Sequence, residues 1–125
     1  MTGGAGFIGF NLLKYWLTKT THDFLVIDKF NYASNRISLD QLLAKFPDRL
    51  QIEIADISDE VLMSEIFDRF LPDSLIHLAA ESHVDNSIIS PFPFIKSNVL
   101  GTYSLLETTR KFLLERQIKD PNFFL

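Results

Sequence analysis

The stretch Thr2-Gly3-Gly4-Ala5-Gly6-Phe7-Ile8-Gly9 stands at the start of the chain and decides its fold class. Glycines at positions 3, 6 and 9 suit a tight turn that opens into a helix, because a residue without a Cβ allows positive φ and close packing. The first turn of such a helix presents unpaired backbone N–H groups and the positive end of the helix dipole. The pattern therefore predicts a binding site for the diphosphate of a dinucleotide.

A glycine turn of this kind should follow a β-strand, and only Met1 and Thr2 precede the glycines. We therefore expect a parallel sheet that lacks most of its first strand. In the expected strand order that strand is central, between the strands that end at Asp28 and Leu78. Its loss would leave two rows of backbone groups unpaired, which predicts marginal stability and weak affinity for a dinucleotide.

An acidic residue follows the glycines at an informative distance. Asp28 ends the apolar segment 24–27 and lies 19 residues past Gly9. A carboxylate at this distance is typical of dinucleotide sites, where it accepts hydrogen bonds from the adenosine ribose and repels a 2′-phosphate. NAD is therefore favoured over NADP, although Lys29 beside the carboxylate would reduce that repulsion.

Strands and helices alternate along the rest of the chain, which predicts an α/β fold: an incomplete Rossmann-like, doubly wound parallel sheet. Ligands bind such sheets beyond the carboxyl ends of the strands. Asp28, Asp56 and the segment Leu78–Ala80 are expected there, beside the glycine turn. The predicted elements are a helix over 10–17 with Ile8, Leu12, Tyr15 and Trp16 on one face, a strand over 24–27, a helix over 38–45, a strand over 51–55, a helix capped by Ser58, a strand over 74–80, a loop over 81–93, a helix over 94–116 and a strand from 122.

Composition narrows the functional class. A chain of 125 residues with 46% hydrophobic residues has the size of one domain. The formal net charge of −4 argues against nucleic acid as a partner. The sequence contains no cysteine and no long apolar run, which excludes thiolate chemistry and predicts no membrane partner. A cytoplasmic protein is the expectation.

Several segments together resemble the dTDP-glucose 4,6-dehydratase family, within the extended short-chain dehydrogenase/reductase superfamily. The resemblance implies that residues 1–125 are a partial NAD-binding domain without the substrate domain. It also implies that NAD oxidises carbon 4 of dTDP-glucose, that water leaves across carbons 5 and 6, and that the hydride returns to carbon 6, giving dTDP-4-keto-6-deoxyglucose. An intact enzyme of this family is expected to be a homodimer. The matching segments are Thr2–Gly9, Asp28–Lys29 with Tyr32–Ala33 and Asn35, Ala55–Ile57, His77–Asp85, Asn98, Gly101–Thr102 and Leu105–Glu107.

The resemblance further implies which residues contact the cofactor, and it assigns none to a metal. Ser82 would sit where NAD and the sugar substrate meet, so it is also expected to bind substrate. The full expected set is Gly3, Gly6, Phe7, Ile8 and Gly9 at the pyrophosphate, Asp28, Lys29, Phe30 and Asn31 around the adenosine ribose, Asp56 and Ile57 at adenine, Leu78, Ala79 and Ala80 toward the nicotinamide, and Glu81, Ser82 and Ser97 in the same cofactor site.

The chain departs from the family in two respects. Asn86 stands where the family usually has arginine. This position therefore lacks the positive charge and the several N–H donors of a guanidinium group. The family's Thr-Asp-Glu segment and its Tyr-x-x-x-Lys pair lie beyond residue 125, so no catalytic residue is assigned and no turnover is expected from residues 1–125. Tyr15 and Lys19 match the pair's spacing by chance.

Alternatives remain open at this point. The chain could be part of an NAD-dependent nucleotide-sugar epimerase, or of another sugar-nucleotide dehydratase that acts on UDP- or GDP-sugars. It could also be a non-catalytic nucleotide-binding remnant. Two candidate residues have simpler explanations: His77 as a hydrogen-bonded core histidine, and Asp56 as a turn former at the end of a strand.

Overall fold

A computed structural model describes residues 1–31 and 34–117, with the side chain of Val84 left out. Tyr32, Ala33 and the predicted strand from residue 122 lie outside the described residues. The elements are α1 (Phe7–Lys19), β1 (Phe24–Asp28), α2 (Arg36–Lys45), β2 (Leu50–Ile54), α3 (Glu60–Phe70), α4 (Val84–Ile89), α5 (Phe92–Phe94), a π-helical segment (Ile95–Gly101) and α6 (Thr102–Glu115).

The sheet is parallel, as predicted. β1 and β2 pair in register from Phe24 with Leu50 to Asp28 with Ile54. Thr2 adds single parallel bridges to Ile27 on one side and to His77 on the other. The beginning of the chain therefore fills the last part of the central strand position, and the expectation of two fully unpaired rows is wrong at the end next to the glycine turn.

Helices cover both faces of the sheet, which confirms the doubly wound arrangement. Leu25 and Ile27 point into one hydrophobic core, which α3 and α6 complete through residues such as Met63 and Leu105. The alternate β1 side chains, including Val26, point into a second core formed with α1 and α2. This alternation follows from the two-residue period of a strand.

The predicted buried face of α1 is wrong. Gly9, Leu13 and Leu17 are the buried positions, whereas Ile8 and Tyr15 are 68% and 58% exposed. The close contact between Gly9 and the glycine turn sets the rotation of the helix, and the apolar spacing alone does not contain that contact.

The predicted strand over 74–80 is present only as the bridge at His77. A regular strand needs a neighbour along its length, and here that neighbour is only Met1 and Thr2. The helix predicted to begin with Ser58 is capped instead by Asp59, whose side chain accepts from the N–H of Leu62.

The region after residue 81 is more helical than predicted. α4 occupies part of the expected loop over 81–93, and the expected helix over 94–116 is divided by seven π-helical residues. Gly101 ends this π-helical segment at a point where a Cβ would lie 2.7 Å from Cγ1 of Ile57. Close packing therefore explains this glycine.

Candidate cofactor site

The glycine turn contains three positions without room for a Cβ: Gly3, Gly9 and also Gly4, where a Cβ would lie 2.7 Å from Cγ1 of Val26. Gly3 has φ of 70°, and a Cβ there would lie 2.5 Å from the carbonyl carbon of Leu78. A Cβ on Gly9 would lie 2.2 Å from the carbonyl oxygen of Gly3. At Gly6 the nearest atom would be 3.4 Å away, so this glycine lines open space. The turn thus has the form expected for close approach of a ligand at Gly6.

The start of α1 lacks a capping side chain. Gly6 is the N-cap residue and the first turn has no acidic residue. The side chains of Phe7 and Ile8 are 85% and 68% exposed and point away from the core. The first N–H groups of the helix therefore meet no side-chain acceptor, and they are suited to an anion.

Asp28 is buried and oriented by hydrogen bonds to the glycine turn. Its Oδ2 accepts from the N–H of Ala5 at 3.0 Å. Its Oδ1 accepts from the N–H of Phe30 at 2.9 Å and from Oγ of Ser34 at 3.1 Å. These bonds hold the carboxylate at the end of β1, beside the beginning of α1.

A single cleft brings most of the predicted residues together at the carboxyl ends of the strands. Its enclosed volume of about 80 Å³ is small for a site that would take a ligand the size of a dinucleotide, since such sites usually measure about 300–1,000 Å³. Phe7, Ile8, Gly9 and Phe30 do not line it. The predicted residues that line it are Gly3, Gly6, Asp28, Lys29, Asn31, Asp56, Ile57, Leu78, Ala79, Ala80, Glu81, Ser82 and Ser97, and Ile27, Ser34, Ala55 and His83 line it without having been predicted.

An ion pair spans this cleft. Nζ of Lys29 lies 2.6 Å from Oε1 of Glu81, and the side-chain amide of Asn31 donates to the same oxygen at 3.1 Å. Asn98 holds the backbone of Glu81, accepting from its N–H at 2.8 Å and donating to its carbonyl at 2.9 Å. The hydrogen bond from Lys29 lowers the pKa of Glu81, so the glutamate is ionised at neutral pH and ties the two sides of the cleft together.

The π-helical segment contributes consecutive side chains to the rim of the cleft. Ser97 is buried and lines it, and Nζ of Lys96 lies 3.0 Å from Oδ2 of Asp56. Oδ1 of Asp56 accepts from the N–H and the hydroxyl of Ser58 at 3.0 and 2.8 Å. Burial alone would raise the pKa of Asp56, but the hydrogen bonds from Ser58 and Lys96 lower it.

Asp56 is therefore both a turn former and a cleft residue. The contacts that Lys96 makes with Asp56 and Asn98 makes with Glu81 were not predicted from the sequence. They depend on the π-helical segment, which no local sequence pattern indicates.

His77 is partly buried and hydrogen-bonded through both ring nitrogens, as its apolar surroundings predicted. Its Nδ1 lies 2.6 Å from Oγ1 of Thr2, and its Nε2 lies 3.0 Å from Oγ1 of Thr102. Burial lowers its pKa, which keeps the ring neutral between two hydroxyl groups. The residue links the beginning of the chain to α6.

Within residues 1–31 and 34–117, no group of three or more histidine, aspartate or glutamate side chains could hold a metal ion. Across the same part of the chain, no helix is long and apolar enough to cross a membrane.

Comparison with known proteins confirms the resemblance seen in the sequence. A dTDP-glucose 4,6-dehydratase from Salmonella typhimurium is 45% identical over 112 residues, which cover 90% of this chain and 30% of the relative. The crystal structure of a dTDP-glucose 4,6-dehydratase from Streptomyces venezuelae with NAD bound matches with a TM-score of 0.81 and 35% identity, over 89% of this chain and 35% of that one. A UDP-Glc/GlcNAc 4-epimerase from Campylobacter jejuni matches with a TM-score of 0.80 and 30% identity, over 89% and 32% of the two chains.

The chain thus spans about a third of the length of these relatives. The family model for GDP-mannose 4,6 dehydratase matches residues 1–121, nearly the whole sequence. This protein therefore belongs to the GDP-mannose 4,6 dehydratase family.

Proposed function

We propose that this chain provides the NAD-binding part of a nucleotide-sugar 4,6-dehydratase that acts on dTDP-glucose. The observation that carries the proposal is the junction of the glycine turn with the acid at the end of β1, where Oδ2 of Asp28 lies 3.0 Å from the N–H of Ala5. A diphosphate at the start of α1 and a ribose at Asp28 would be neighbours in this arrangement, as they are in a dinucleotide.

The residues present fit NAD on three counts. Gly6 leaves open space beside the turn, the start of α1 has no capping side chain, and Asp28 is a buried acceptor at the strand end. Bound NAD supplies a hydride acceptor, and the chain's own residues bind and orient it. Leu78, Ala79 and Ala80 would line the path toward the nicotinamide.

Preference for NAD over NADP is supported by the partners of the nearby cations. Lys29 is paired with Glu81. Arg36 is paired with Asp40 at 2.8 Å and stacks over the ring of Phe30 at 4.7 Å. Both cations already have carboxylate partners, so neither is placed to bind the 2′-phosphate of NADP. The carboxylate of Asp28 would repel that phosphate.

The reaction is proposed from the relatives, several of which are named dTDP-glucose 4,6-dehydratases. Ser82 lines the cleft, where it would meet the sugar nucleotide. A nucleotide-sugar 4-epimerase is the second candidate, because an epimerase structure matches the fold about as well. That the catalytic groups lie outside residues 1–125 stays a prediction, and so does a cytoplasmic location.

We also propose that a second copy packs on an exposed apolar stripe, giving a homodimer. Phe92, Ile95, Val99, Tyr103 and Leu106 are spaced by three or four residues and are 43–65% exposed. Such spacing places side chains along one side of a helical rod, which suits packing against another helix. The test is sedimentation of the chain before and after Val99→Asp, which should convert dimers to monomers.

Titration with NAD tests the cofactor proposal on the chain as it stands. We expect weak but saturable binding, because the cleft must widen and the Lys29–Glu81 pair spans it. Asp28→Asn should weaken NAD at least about tenfold, since a ribose hydrogen bond to a carboxylate is charge-assisted. Asp40→Asn, an exposed position on α2, is the matched control and should bind NAD unchanged.

Equal NAD affinity in the Asp28→Asn and Asp40→Asn variants, with both folded by circular dichroism, would contradict the cofactor proposal. So would equal affinity of the original chain for NAD and NADP.

A further inference from the structure

A line of hydrogen bonds, the histidine network, runs from the middle of the sheet to the wall of the cofactor cleft. It joins the side chains of Thr2, His77 and Thr102 to Asn98 and Glu81. The ring nitrogens of His77 contact Oγ1 of Thr2 and Oγ1 of Thr102. The hydroxyl of Thr102 donates to the carbonyl of Asn98 at 2.8 Å, and the Asn98 side chain bonds both backbone groups of Glu81. His77 is thus linked to a cleft residue through Thr102 and Asn98.

The directions of these bonds fix the position of the proton on the ring. The carbonyl of Asn98 has no proton, so the hydroxyl of Thr102 uses its single proton there. Oγ1 of Thr102 is then left as an acceptor, and Nε2 of His77 must donate to it. In a neutral ring Nδ1 has no proton, so it accepts from the hydroxyl of Thr2. Every contact is filled when His77 is neutral with its proton on Nε2.

Protonation of the ring would break this arrangement at Thr2. A charged imidazole donates from both nitrogens, so the hydroxyl of Thr2 would have to turn its proton away from Nδ1. Thr2 is fully buried, and a buried hydroxyl without an acceptor is costly. Burial also lowers the pKa of His77. The neutral ring therefore predominates at pH 7.

The hydroxyl of Thr102 takes the place that a backbone N–H has in a regular helix. In an α-helix the N–H of a residue donates to the carbonyl four positions earlier. The N–H of Thr102 donates instead to the carbonyl of Val99, and its hydroxyl donates to the carbonyl of Asn98. The hydroxyl therefore helps to fix the turn that carries Asn98, and its own orientation depends on the donor at His77.

The ring of His77 is the titrating group of the histidine network. It faces the uncharged hydroxyls of Thr2 and Thr102, and its own segment, 74–80, has no other ionisable side chain. Within the described residues, charged groups on the adjoining elements bond other partners: the amino group of Met1 with the carbonyl of Leu25, Lys96 with Asp56, Glu81 with Lys29, and Glu107 with Arg110 on α6.

We propose that neutral His77 is a positioning residue of the cofactor site. By donating to the hydroxyl of Thr102, it holds Asn98 against the backbone of Glu81, and protonation of the ring weakens that hold. Glu81 in turn bonds Lys29 across the cleft. The effect on cofactor affinity rests on the proposed function, whereas the effect on the backbone of Glu81 does not.

Hydrogen exchange of the Glu81 amide measures this hold, because its N–H donates to Oδ1 of Asn98. The experiment compares the original chain with two replacements of His77. His77→Phe keeps a ring but has no donor, and we expect it to lower the protection of this amide about fivefold. His77→Gln, whose side-chain amide can donate to Thr102, should recover most of that protection.

The pH profile of the same exchange separates positioning from space filling. As the pH falls below the usual histidine value of 6.5, the Glu81 amide should lose protection in the original chain. It should keep its protection in His77→Gln, which does not titrate. His22→Gln, at an exposed histidine, is the matched control and should keep the profile of the original chain.

A second pair of variants keeps the proposal testable if His77→Phe does not fold. Thr102→Val removes the hydroxyl at nearly constant shape and should lower the protection of the Glu81 amide as His77→Phe does. Thr102→Ser keeps a hydroxyl and should retain the protection. On the original chain, the ¹⁵N NMR spectrum of the imidazole should show the proton on Nε2 at pH 7.

Titration of these variants with NAD extends the measurement to the cofactor. We expect His77→Phe and Thr102→Val to bind NAD about threefold more weakly than His77→Gln and Thr102→Ser. Altered protection of Glu81 in a chain that does not bind NAD would contradict the proposed function, and it would still support the positioning of Glu81 by His77.

Unchanged protection of Glu81 in His77→Phe and Thr102→Val would overturn the proposal, and so would a ring proton on Nδ1 at pH 7. Equal losses in His77→Gln and His77→Phe would also overturn it, because they would show that the imidazole ring only fills space.

Discussion

Met1 and Thr2 lie between the two ends of the sheet, and these two ends differ in the groups that line them. At the carboxyl end, the Asp28 bonds and the Lys29–Glu81 pair close a cleft of about 80 Å³. At the amino end, a groove of about 1,050 Å³ is bordered by charged side chains such as Arg49 and Glu53 as well as by apolar ones such as Trp16. The cleft is narrow and tied by hydrogen bonds and an ion pair, whereas the groove is wide and open.

This difference shows that the hydrogen bonds of the candidate cofactor site do not depend on the structure at the other end of the sheet. The central ladder is complete as far as Met1, which is enough to hold the glycine turn. Variants at each end should therefore have effects of different kinds.

The largest expected effect is a pH dependence that comes from the amino end. Burial lowers the pKa of the Met1 amino group from 8.0 to about 5. Between pH 5 and 8 the unfolded chain binds this proton and the folded chain does not, so the free energy of unfolding should rise with pH. A difference of three pKa units corresponds to about 4 kcal/mol. Urea unfolding at several pH values measures it.

Acetylation of Met1 is the matched control for that pH dependence. The acetylated nitrogen keeps an N–H for the carbonyl of Leu25 and has no titrating group, and the acetyl oxygen can accept from the N–H of Ile76. We expect the acetylated chain to be more stable at pH 6 and to lose most of the slope between pH 5 and 8. An unchanged slope would show that His77, whose pKa burial also lowers, is responsible for it.

The next effect comes from the glycine turn at the other end. Gly9→Ala places a Cβ 2.2 Å from the carbonyl oxygen of Gly3, and overpacking of this kind should lower the free energy of unfolding by about 3 kcal/mol. Gly6→Ala is the matched control, because its nearest atom is 3.4 Å away. Chemical denaturation compares the two variants. Equal losses would mean that α1 does not pack on the turn as described.

The smallest effect is expected at the ion pair across the cleft. Glu81→Gln should cost about 1 kcal/mol or less at pH 7, because Lys29 is partly exposed. The hydrogen bond from Lys29 lowers the pKa of Glu81, so its stabilisation is present at neutral pH. It is lost as the pH falls below the usual value of 4.5. The difference between the original chain and the variant in urea melts should therefore shrink in acid.

A matched variant separates the ion pair from general surface charge. Asp40→Asn breaks the exposed pair with Arg36 on α2 and should change stability by less than Glu81→Gln. A larger loss at Asp40 would contradict the assignment of Lys29 and Glu81 as the tie across the cleft.

Much of the fold and of the candidate site could be predicted from the sequence. Glycine spacing predicts the turn because only a residue without a Cβ fits at Gly3 and Gly9, and this constraint is local. Alternating apolar segments predict parallel strands, and chain order then brings Asp28, Asp56 and Leu78 to one edge of the sheet. These inferences need only local conformational preference and the rule that parallel strands end at the same side.

Other features required the tertiary structure, because they depend on contacts between distant parts of the chain. The rotation of α1 is set by Gly9 against the turn, so apolar spacing alone predicted the wrong face. The strand expected over 74–80 is reduced to a bridge because its partner, Met1–Thr2, is short. The π-helical segment places Lys96 and Asn98 at the cleft. Local sequence thus determined which elements form, whereas packing and the supply of backbone partners decided how they turn and where they end.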